Sequence, residues 1–402
     1  MAGAKRQVLF WATLFLFLVA LVLHSRQLFH MATAMAVLWP ISRLLARSRL
    51  RGLQVVRVAP QSLHAGEVGQ VSLHVTNPGS TRRLFVQVRD RIPSQAAGEP
   101  HRFVIPLLEG GSTTQLEYTL HTGLRGVYKL GPALLEASDT LGLSQFTRSS
   151  DMVSEVVVYP TPVDLPMLWP LDGGGQHAQR PMPALGEDGL EFHGIRNYVA
   201  GDDPRRIHWK TSARTGELMT MQMAREQSLR GVVILDLFEA NHTGTGLFST
   251  LEQSVLLAAS AARQAQSMGA DIGLIAVGEE DYSVPIAPGA GNYHTLLDAL
   301  ARVQTSPDDN WPDALVMQLA SLPPRSSALV ISPRTDPTAV QSARHLIGRG
   351  HRLSWVVLSA SEHAPPEIVT ALQAVGCQVR VVDWRRPLAS QLGVTGRSYA
   401  RT

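Results

Sequence analysis

The sequence predicts a multidomain protein built in three parts. An N-terminal transmembrane helical hairpin comes first, an all-β sandwich second, and a doubly wound parallel-sheet α/β domain last. Three observations predict it. Two uncharged apolar runs stand near the N-terminus with basic residues on their outer flanks. Short strand patterns divided by turn residues then fill about a hundred positions. Continuous apolar strands finally alternate with amphipathic helical patterns to the end of the chain. The chain has 402 residues, more than one ordinary domain needs. The boundaries read from composition are 1–52, 53–162, a Pro/Gly-rich linker at 163–188, a charged segment at 189–230, and 231–402.

The composition narrows the function classes. Hydrophobic residues at 45% and charged residues at 17% exclude a mainly disordered chain. The apolar residues are mostly dispersed, which excludes a polytopic membrane protein. The single cysteine, Cys377, allows no intrachain disulfide and no cysteine-based zinc or iron–sulfur site. The net charge is only +3 and the excess is scattered, so no nucleic-acid partner is expected.

The first apolar run, residues 8–23, carries no charge, and the second covers 28–41 after the break His24-Ser25-Arg26-Gln27. At 1.5 Å per residue they reach roughly 24 and 21 Å, short of a ~30 Å bilayer core, so each needs flanking residues. Lys5 and Arg6 precede the first run, and Arg43, Arg47, Arg49 and Arg51 follow the second. The connection holds only Arg26. Positive-inside logic therefore puts both flanks in the cytoplasm and the anchor in the inner (cytoplasmic) membrane. A cleaved signal peptide ending near Ala32-Thr33-Ala34 competes, but the polar break precedes that site and apolar sequence resumes after it.

From 53 to 162 the runs 55–58, 70–75, 84–88, 103–107 and 114–120 are alternating or β-branched. Turn residues such as Asn77-Pro78-Gly79-Ser80 separate them, which predicts an antiparallel, immunoglobulin-like sandwich. Arg125-Gly126-Val127-Tyr128-Lys129-Leu130-Gly131-Pro132 reads as turn, strand and turn. Asp139-Thr140-Leu141-Gly142-Leu143 reads as a tight loop. No catalytic constellation lies in this part.

The segment 189–214 is the densest polar stretch. Asp202 or Asp203 is suited to cap a short helix with Pro204 at its first position. That helix would carry Arg205, Arg206, His208 and Lys210, with Ile207 and Trp209 as apolar anchors. The first reading is a structural clasp that locks the linker onto the next domain. The second is a recognition surface for a protein partner. Catalysis ranks last, because His193 and His208 have no adjacent nucleophile.

In the last part, 231–237, 271–278, 328–332, 353–359 and 378–383 read as strands. Helical patterns cover 249–268, 293–304, 313–322, 337–348 and 366–375. Ligands in such sheets sit at the carboxyl ends of strands. Asp236 is there. Neither a phosphate loop nor a nucleophile elbow occurs, so neither an ATPase nor a serine hydrolase has a motif.

The charged segment resembles the signature of the bacterial family known as domain of unknown function 58 (DUF58). The family pattern approximates G-x-E-F-x-G-x-R-x-Y-x-x-G-D-D-x-R-x-I-x-W-x-x-x-A-R. The chain matches every specified position, including Glu191, Arg196, Tyr198, Gly201, Asp202, Asp203, Arg205, Trp209 and Arg214; Arg206 and Lys210 lie between them. The resemblance implies a C-terminal domain similar to von Willebrand factor A domains, no established enzymatic activity, and a MoxR-type AAA+ ATPase as partner. An A-type domain binds a divalent cation through Asp-x-Ser-x-Ser. Here Asp236 holds the first position, but Phe238 and Ala240 replace the serines. Thr295 is a candidate threonine ligand, and Asp336 lies four residues past Ser332. The implied Mg²⁺ site is thus degraded, and Asp236 is otherwise expected to bond nearby backbone or an arginine of the signature. Asp308-Asp309 and Glu279-Glu280-Asp281 read as solvated loops.

The function expected is a membrane-anchored interaction module or scaffold with no catalysis and no cofactor. The alternatives are a metal-dependent A-type binding module or, further off, a hydrolase.

Overall fold

A computed structural model describes residues 2–93, 96–97, 101–138, 145–170, 184–185, 191–199, 202–225, 230–278, 282–309, 311, 315, 317, 322–323, 326–360 and 366–391. The chain divides into two compact units, Met1–Tyr159 and Pro160–Thr402.

The first unit opens with helices α1 (Ala2–Val22) and α2 (Arg26–Leu50). They touch along their lengths, and Phe17 meets Phe29 at 5.7 Å between ring centroids. Among the described residues, α2 is the one helix long and apolar enough to cross a membrane; the apolar part of α1, Gln7–Val22, is shorter. α2 continues past its apolar stretch until Leu50 is fully buried among the strands that follow. The helix end leaves carbonyls without intrahelical partners. Arg148 supplies donors there, through Nη1 to the carbonyls of Leu50 (3.1 Å) and Leu53 (3.2 Å).

Eleven short strands follow among the described residues of this unit. They are β1 (Gln54–Val58), β2 (Ser62–His64), β3 (Val68–Thr76), β4 (Arg83–Arg89), β5 (Ala96–Ala97), β6 (Arg102–Leu108), β7 (Thr113–Thr122), β8 (Gly126–Leu130), β9 (Leu134–Ser138), β10 (Gln145–Ser149) and β11 (Ser154–Tyr159). They form sheets ordered β1-β3-β7-β5, β10-β9-β4-β6 and β2-β11-β8. Alternation decides what is inside: on β3, Val71, Leu73 and Val75 point into the core while their neighbours do not. The pairing is antiparallel as expected except at β2–β11, which is parallel.

The core of this unit also holds charge. Arg57 and Asp90 form a buried ion pair, and the Tyr118 hydroxyl donates to Asp90 at 2.7 Å. Burial, then the carboxylate beside it, pushes the Tyr118 pKa upward. Arg57 Nη1 also donates to the Leu130 carbonyl at 3.0 Å. This places the guanidinium against Gly131, where an added Cβ would stand 2.7 Å from Nη2. The glycine of the Gly131-Pro132 turn is therefore needed for a close approach and for its φ of +96°. The Tyr128 hydroxyl donates to the Leu124 carbonyl at 2.7 Å, a bond that ties the turn to its strand. The loop expected at 139–143 lies outside the described residues.

The second unit begins with a correction. Residues 163–170 of the expected linker are not a free tether. Leu168 and Trp169 are buried, and the Trp169 indole donates to the Ala261 carbonyl at 3.0 Å. A small sheet follows, ordered β12 (Ala184–Leu185), β14 (Met219–Arg225), β13 (Glu191–Asn197). Between β13 and β14 lie a 3-10 turn, Pro204–Arg206, and helix α3 (Trp209–Thr215).

The main sheet has six strands in the order β19-β18-β15-β20-β21-β22. These are β15 (Arg230–Asp236), β18 (Asp271–Val277), β19 (Val284–Ala287), β20 (Ser327–Ser332), β21 (Arg352–Ser359) and β22 (Gln378–Asp383). The hairpin β16 (Gly244–Thr245) and β17 (Phe248–Ser249) leads into α4 (Thr250–Ser267). The later helices are α5 (Ala290–Arg302), α6 (Pro337–Gly348), α7 (Pro366–Ala374) and α8 (Leu388–Gln391). Ser249 caps α4 by accepting from Glu252 N at 3.1 Å. β15 is buried at every position but its first, as a central parallel strand must be. The sheet is mixed rather than wholly parallel, because edge strand β19 runs antiparallel to β18. Most of the helix expected over 313–322 lies outside the described residues. Strand order reverses between β15 and β20, so the crevice at their carboxyl ends holds Asp236 and Ser332.

Candidate functional site

Two places gather the residues that the sequence singles out. The first is the signature. The single helix expected there is broken in two. Asp203 accepts from Arg205 N at 2.9 Å and starts the 3-10 turn, which ends at Ile207. His208 then starts α3, its Nδ1 accepting from Thr211 N at 3.2 Å. Gly216, in the left-handed region at φ 78°, ends that helix. The break decides which apolar side chain is buried. Ile207 bridges to Thr220 and is 8% exposed. Trp209, one residue into the new helix, is 66% exposed. The expected pair of anchors is thus one anchor, Ile207, and the clasp reading fails for Trp209.

The acids of the signature are used locally. Asp202 holds Arg196 with two bonds, 2.8 Å from Nη1 and 2.7 Å from Nη2, and accepts from Val199 N at 3.0 Å. The Arg196 bond, followed by that of Val199, keeps the Asp202 carboxyl below the usual carboxylate range. Backbone bonds from Tyr198 N to the Leu218 carbonyl and from His208 N to the Met219 carbonyl, both 2.8 Å, draw the two ends of the signature to one corner. Val199, Trp209 and Leu218 are exposed there, as are Arg205, Lys210 and Arg214. Arg206 and Tyr198 are half-buried. Glu191 opens β13, in register with Ala224. Gly201 lies outside the described residues.

The second place is the strand-end crevice. Asp236 is 1% exposed, and its carboxylate is ringed by donors. Oδ1 accepts from Phe238 N at 3.1 Å. Oδ2 accepts from Asn241 Nδ2 at 3.1 Å, Ser332 Oγ at 2.9 Å and Arg334 Nε at 3.2 Å. Arg334, only 2% exposed, is the hub. Its Nη2 donates to Asp309 Oδ1 at 2.7 Å, and its Nη1 to Asp309 Oδ2 at 3.1 Å and Asp336 Oδ2 at 3.2 Å. The rings of Phe238 and Trp311 lie 5.8 and 5.6 Å from the guanidinium. Burial alone would lower the Arg334 pKa, but the Asp309 bonds and the Asp236 charge outweigh it and the net shift is upward. The Arg334 bond in turn holds Asp309 below the usual carboxylate range.

Several expectations change here. Asp236 pairs with Arg334 from the loop after β20, not with an arginine of the signature. Asp309, partly exposed in its loop, is an ion-pair partner of Arg334. Asp336 caps α6 by accepting from Thr338 N at 2.9 Å, while its other oxygen meets Arg334. Thr295 is exposed on α5 and donates to the Gly291 carbonyl, away from Asp236's partners. Glu279, Glu280 and Asp281 lie outside the described residues. Arg334 itself drew no notice in the sequence; its one signal is the compact run Ser332-Pro333-Arg334-Thr335-Asp336 directly after a strand.

The donor set does not fit a divalent cation at Asp236. A metal needs lone pairs, and those of Asp236 are directed at N–H and O–H groups. Phe238 and Ala240 bring no side-chain oxygen. His242, beside it, faces the Asp236 carbonyl through Nε2 at 2.8 Å and Thr250 Oγ1 through Nδ1 at 3.0 Å.

Residues 194–385 match the family model described as a protein of unknown function, DUF58. The uncharacterised protein YeaD of Bacillus subtilis is 24% identical over 271 residues, 64% of this chain and 64% of its own length. An uncharacterised protein of Mycobacterium tuberculosis is 28% identical over 178 residues, 43% of this chain and 56% of its own length. The matched region thus spans less than two thirds of either relative. Among solved structures, the CARDB domain of a Pyrococcus furiosus protein matches 26% of this chain and 86% of its own, at 16% identity and a TM-score of 0.20.

Proposed function

We propose that the chain is a membrane-anchored protein-interaction module with no catalysis of its own. In this reading the helical hairpin holds it at the inner membrane, with the bulk of the chain in the cytoplasm. The immunoglobulin-like sandwich acts as a spacer. The C-terminal domain is von Willebrand factor A-like; a mixed sheet whose order reverses beside its first strand supports that assignment. Its partner is a protein, and the family resemblance names a MoxR-type AAA+ ATPase.

One observation carries the docking role. Trp209 is 66% exposed at the start of α3, beside exposed Arg205, Lys210 and Arg214. Leaving an indole in water forgoes burial energy, and Trp and Arg are among the residue types enriched at the energetic centres of interfaces. His208 spends its Nδ1 on capping α3, which leaves it poorly placed as a general base.

The experiment is affinity capture of the tagged full-length chain from detergent-solubilised membranes, with and without Trp209→Ala. The wild type should bring down a MoxR-type ATPase and the variant should lose it. Because the side chain is exposed, the variant's unfolding free energy should stay within about 0.5 kcal/mol of wild type. Equal recovery of the ATPase by both proteins would overturn the assignment of this surface.

A further inference from the structure

The crevice where an A-type domain would take its metal already contains a cation. We infer that Arg334 is the resident cation of this site: its guanidinium takes the place of a divalent ion and closes the strand ends without metal. This stands apart from the docking surface on the signature and does not depend on it.

The argument begins with what Arg334 joins. Asp236 ends β15, Asp309 lies in the loop beyond α5, and Asp336 caps α6. One guanidinium reaches all three. This is the task a metal performs in such a crevice, namely drawing carboxylates from separate loops to one point. A planar fork with five N–H donors does it with directed bonds, and it cannot be lost to a chelator or by deprotonation. The loop geometry is built to hold it. Ser332 Oγ accepts from Arg334 N at 3.0 Å and donates to Asp236 Oδ2, so one hydroxyl aligns both partners.

The walls point the same way. Phe238 stands where a metal-binding sequence has its first serine, and its ring lies 5.8 Å from the guanidinium carbon. Trp311 lies 5.6 Å away and donates from Nε1 to Ser342 Oγ at 3.0 Å. Aromatic faces suit a weakly hydrated guanidinium and offer nothing to a divalent ion that keeps its waters. At position 238 the side chain that offers a metal no oxygen is the same ring that lies beside the guanidinium. A ligand carboxylate cannot complete a metal's coordination here, which separates this chain from metal-dependent A-type binding.

The test uses the full-length chain in detergent, its thermal unfolding followed by tryptophan fluorescence, to which Trp311 at the site is one of seven contributors. After chelator treatment, millimolar Mg²⁺, Mn²⁺ or Ca²⁺ should leave the wild-type melting temperature unmoved. Arg334→Ala should melt earlier, and guanidinium chloride at low millimolar concentration should raise its melting temperature while equal sodium chloride does not. Wild type should show no such rise. A metal-induced rise in wild type that Asp236→Ala abolishes would overturn the inference. So would an Arg334→Ala protein that melts with wild type or ignores guanidinium. If Arg334→Ala does not fold, Arg334→Lys replaces it: an ammonium keeps the charge but lacks the fork, so this variant should also melt earlier, and wild-type melting would count against the inference.

Discussion

His242 links the strand-end crevice to the start of α4. Its Nε2 donates to the Asp236 carbonyl, and its Nδ1 lies 3.0 Å from the Thr250 hydroxyl. Burial, the largest effect, lowers its pKa against the opposing pull of Asp236. The unfolded chain therefore binds a proton more readily than the folded one. Stability from this group is present above the ordinary histidine value of about 6.5 and is lost as pH falls toward the folded value. His351, also lowered mainly by burial, acts with the same sign. Melting temperature measured across this range should fall on acidification, and His242→Gln should flatten part of the slope. The effect is separable from the carboxylates, since Asp202 and Asp309 are held below their usual range and release their stability at lower pH. A His242→Gln protein with an unchanged slope would remove His242 from this account.

At the scale of elements, packing overrules local pattern wherever a side chain can reach a distant partner. Helix and strand periods in the C-terminal half are legible because each element buries a long continuous face: the 337–348 helix and 378–383 strand appear with the bounds their periodicity gives. The segment 163–170 is not, because Pro-rich composition says only that no helix forms. Trp169 is buried by contacts with residues some ninety positions on. Its indole bonds the Ala261 carbonyl of α4, and Gly231 at the foot of β15 leaves room for the ring, where a Cβ would stand 2.8 Å from it. Leu168 N and the Leu165 carbonyl, both bonded to Gln264 at 3.1 Å, hold the strap on either side. Trp169→Ala should thus cost about 3–5 kcal/mol, measured as a shift of the urea midpoint. A shift under about 1 kcal/mol would return this segment to the status of a tether. Trp209 teaches the converse. A run of alternate polar and apolar residues reads as one amphipathic turn, yet the His208 cap restarts the helix and rotates the indole outward. Arg334 and Asp236 are 98 residues apart, so no spacing rule could join them.

At the scale of the whole molecule, the proposed membrane anchor raises one question about α1, α2 and the strands of the first unit, namely which side of the membrane those strands would occupy. Phe15, Trp11 and Leu21 on α1 and Met31 on α2 are each more than half exposed, together with several other large apolar side chains. Many exposed large apolar side chains on two adjacent helices suit contact with lipid or a partner rather than with water. α2 then runs unbroken from its apolar stretch into the sandwich core, where Leu50 is buried and Arg148 closes its last carbonyls. The strands of the first unit must therefore follow the C-terminal flank of α2 to whichever side that flank takes. Arg43, Arg47, Arg49 and Arg51 all belong to that flank, whereas the connection between the helices carries Arg26 alone. Positively charged flanks resist transfer, so the flank and the sandwich should remain in the cytoplasm, with the connection outside. A reporter active only outside the cytoplasm should be silent when fused after Arg51 and active when fused at His24. Replacing Arg43, Arg47 and Arg51 with glutamine should weaken that preference, while Arg49, which bonds the Ser138 carbonyl, is left in place to keep the sandwich docked. Activity after Arg51 in the unmodified chain would reverse the orientation and remove the sandwich, and the docking reading that depends on it, from the cytoplasmic side.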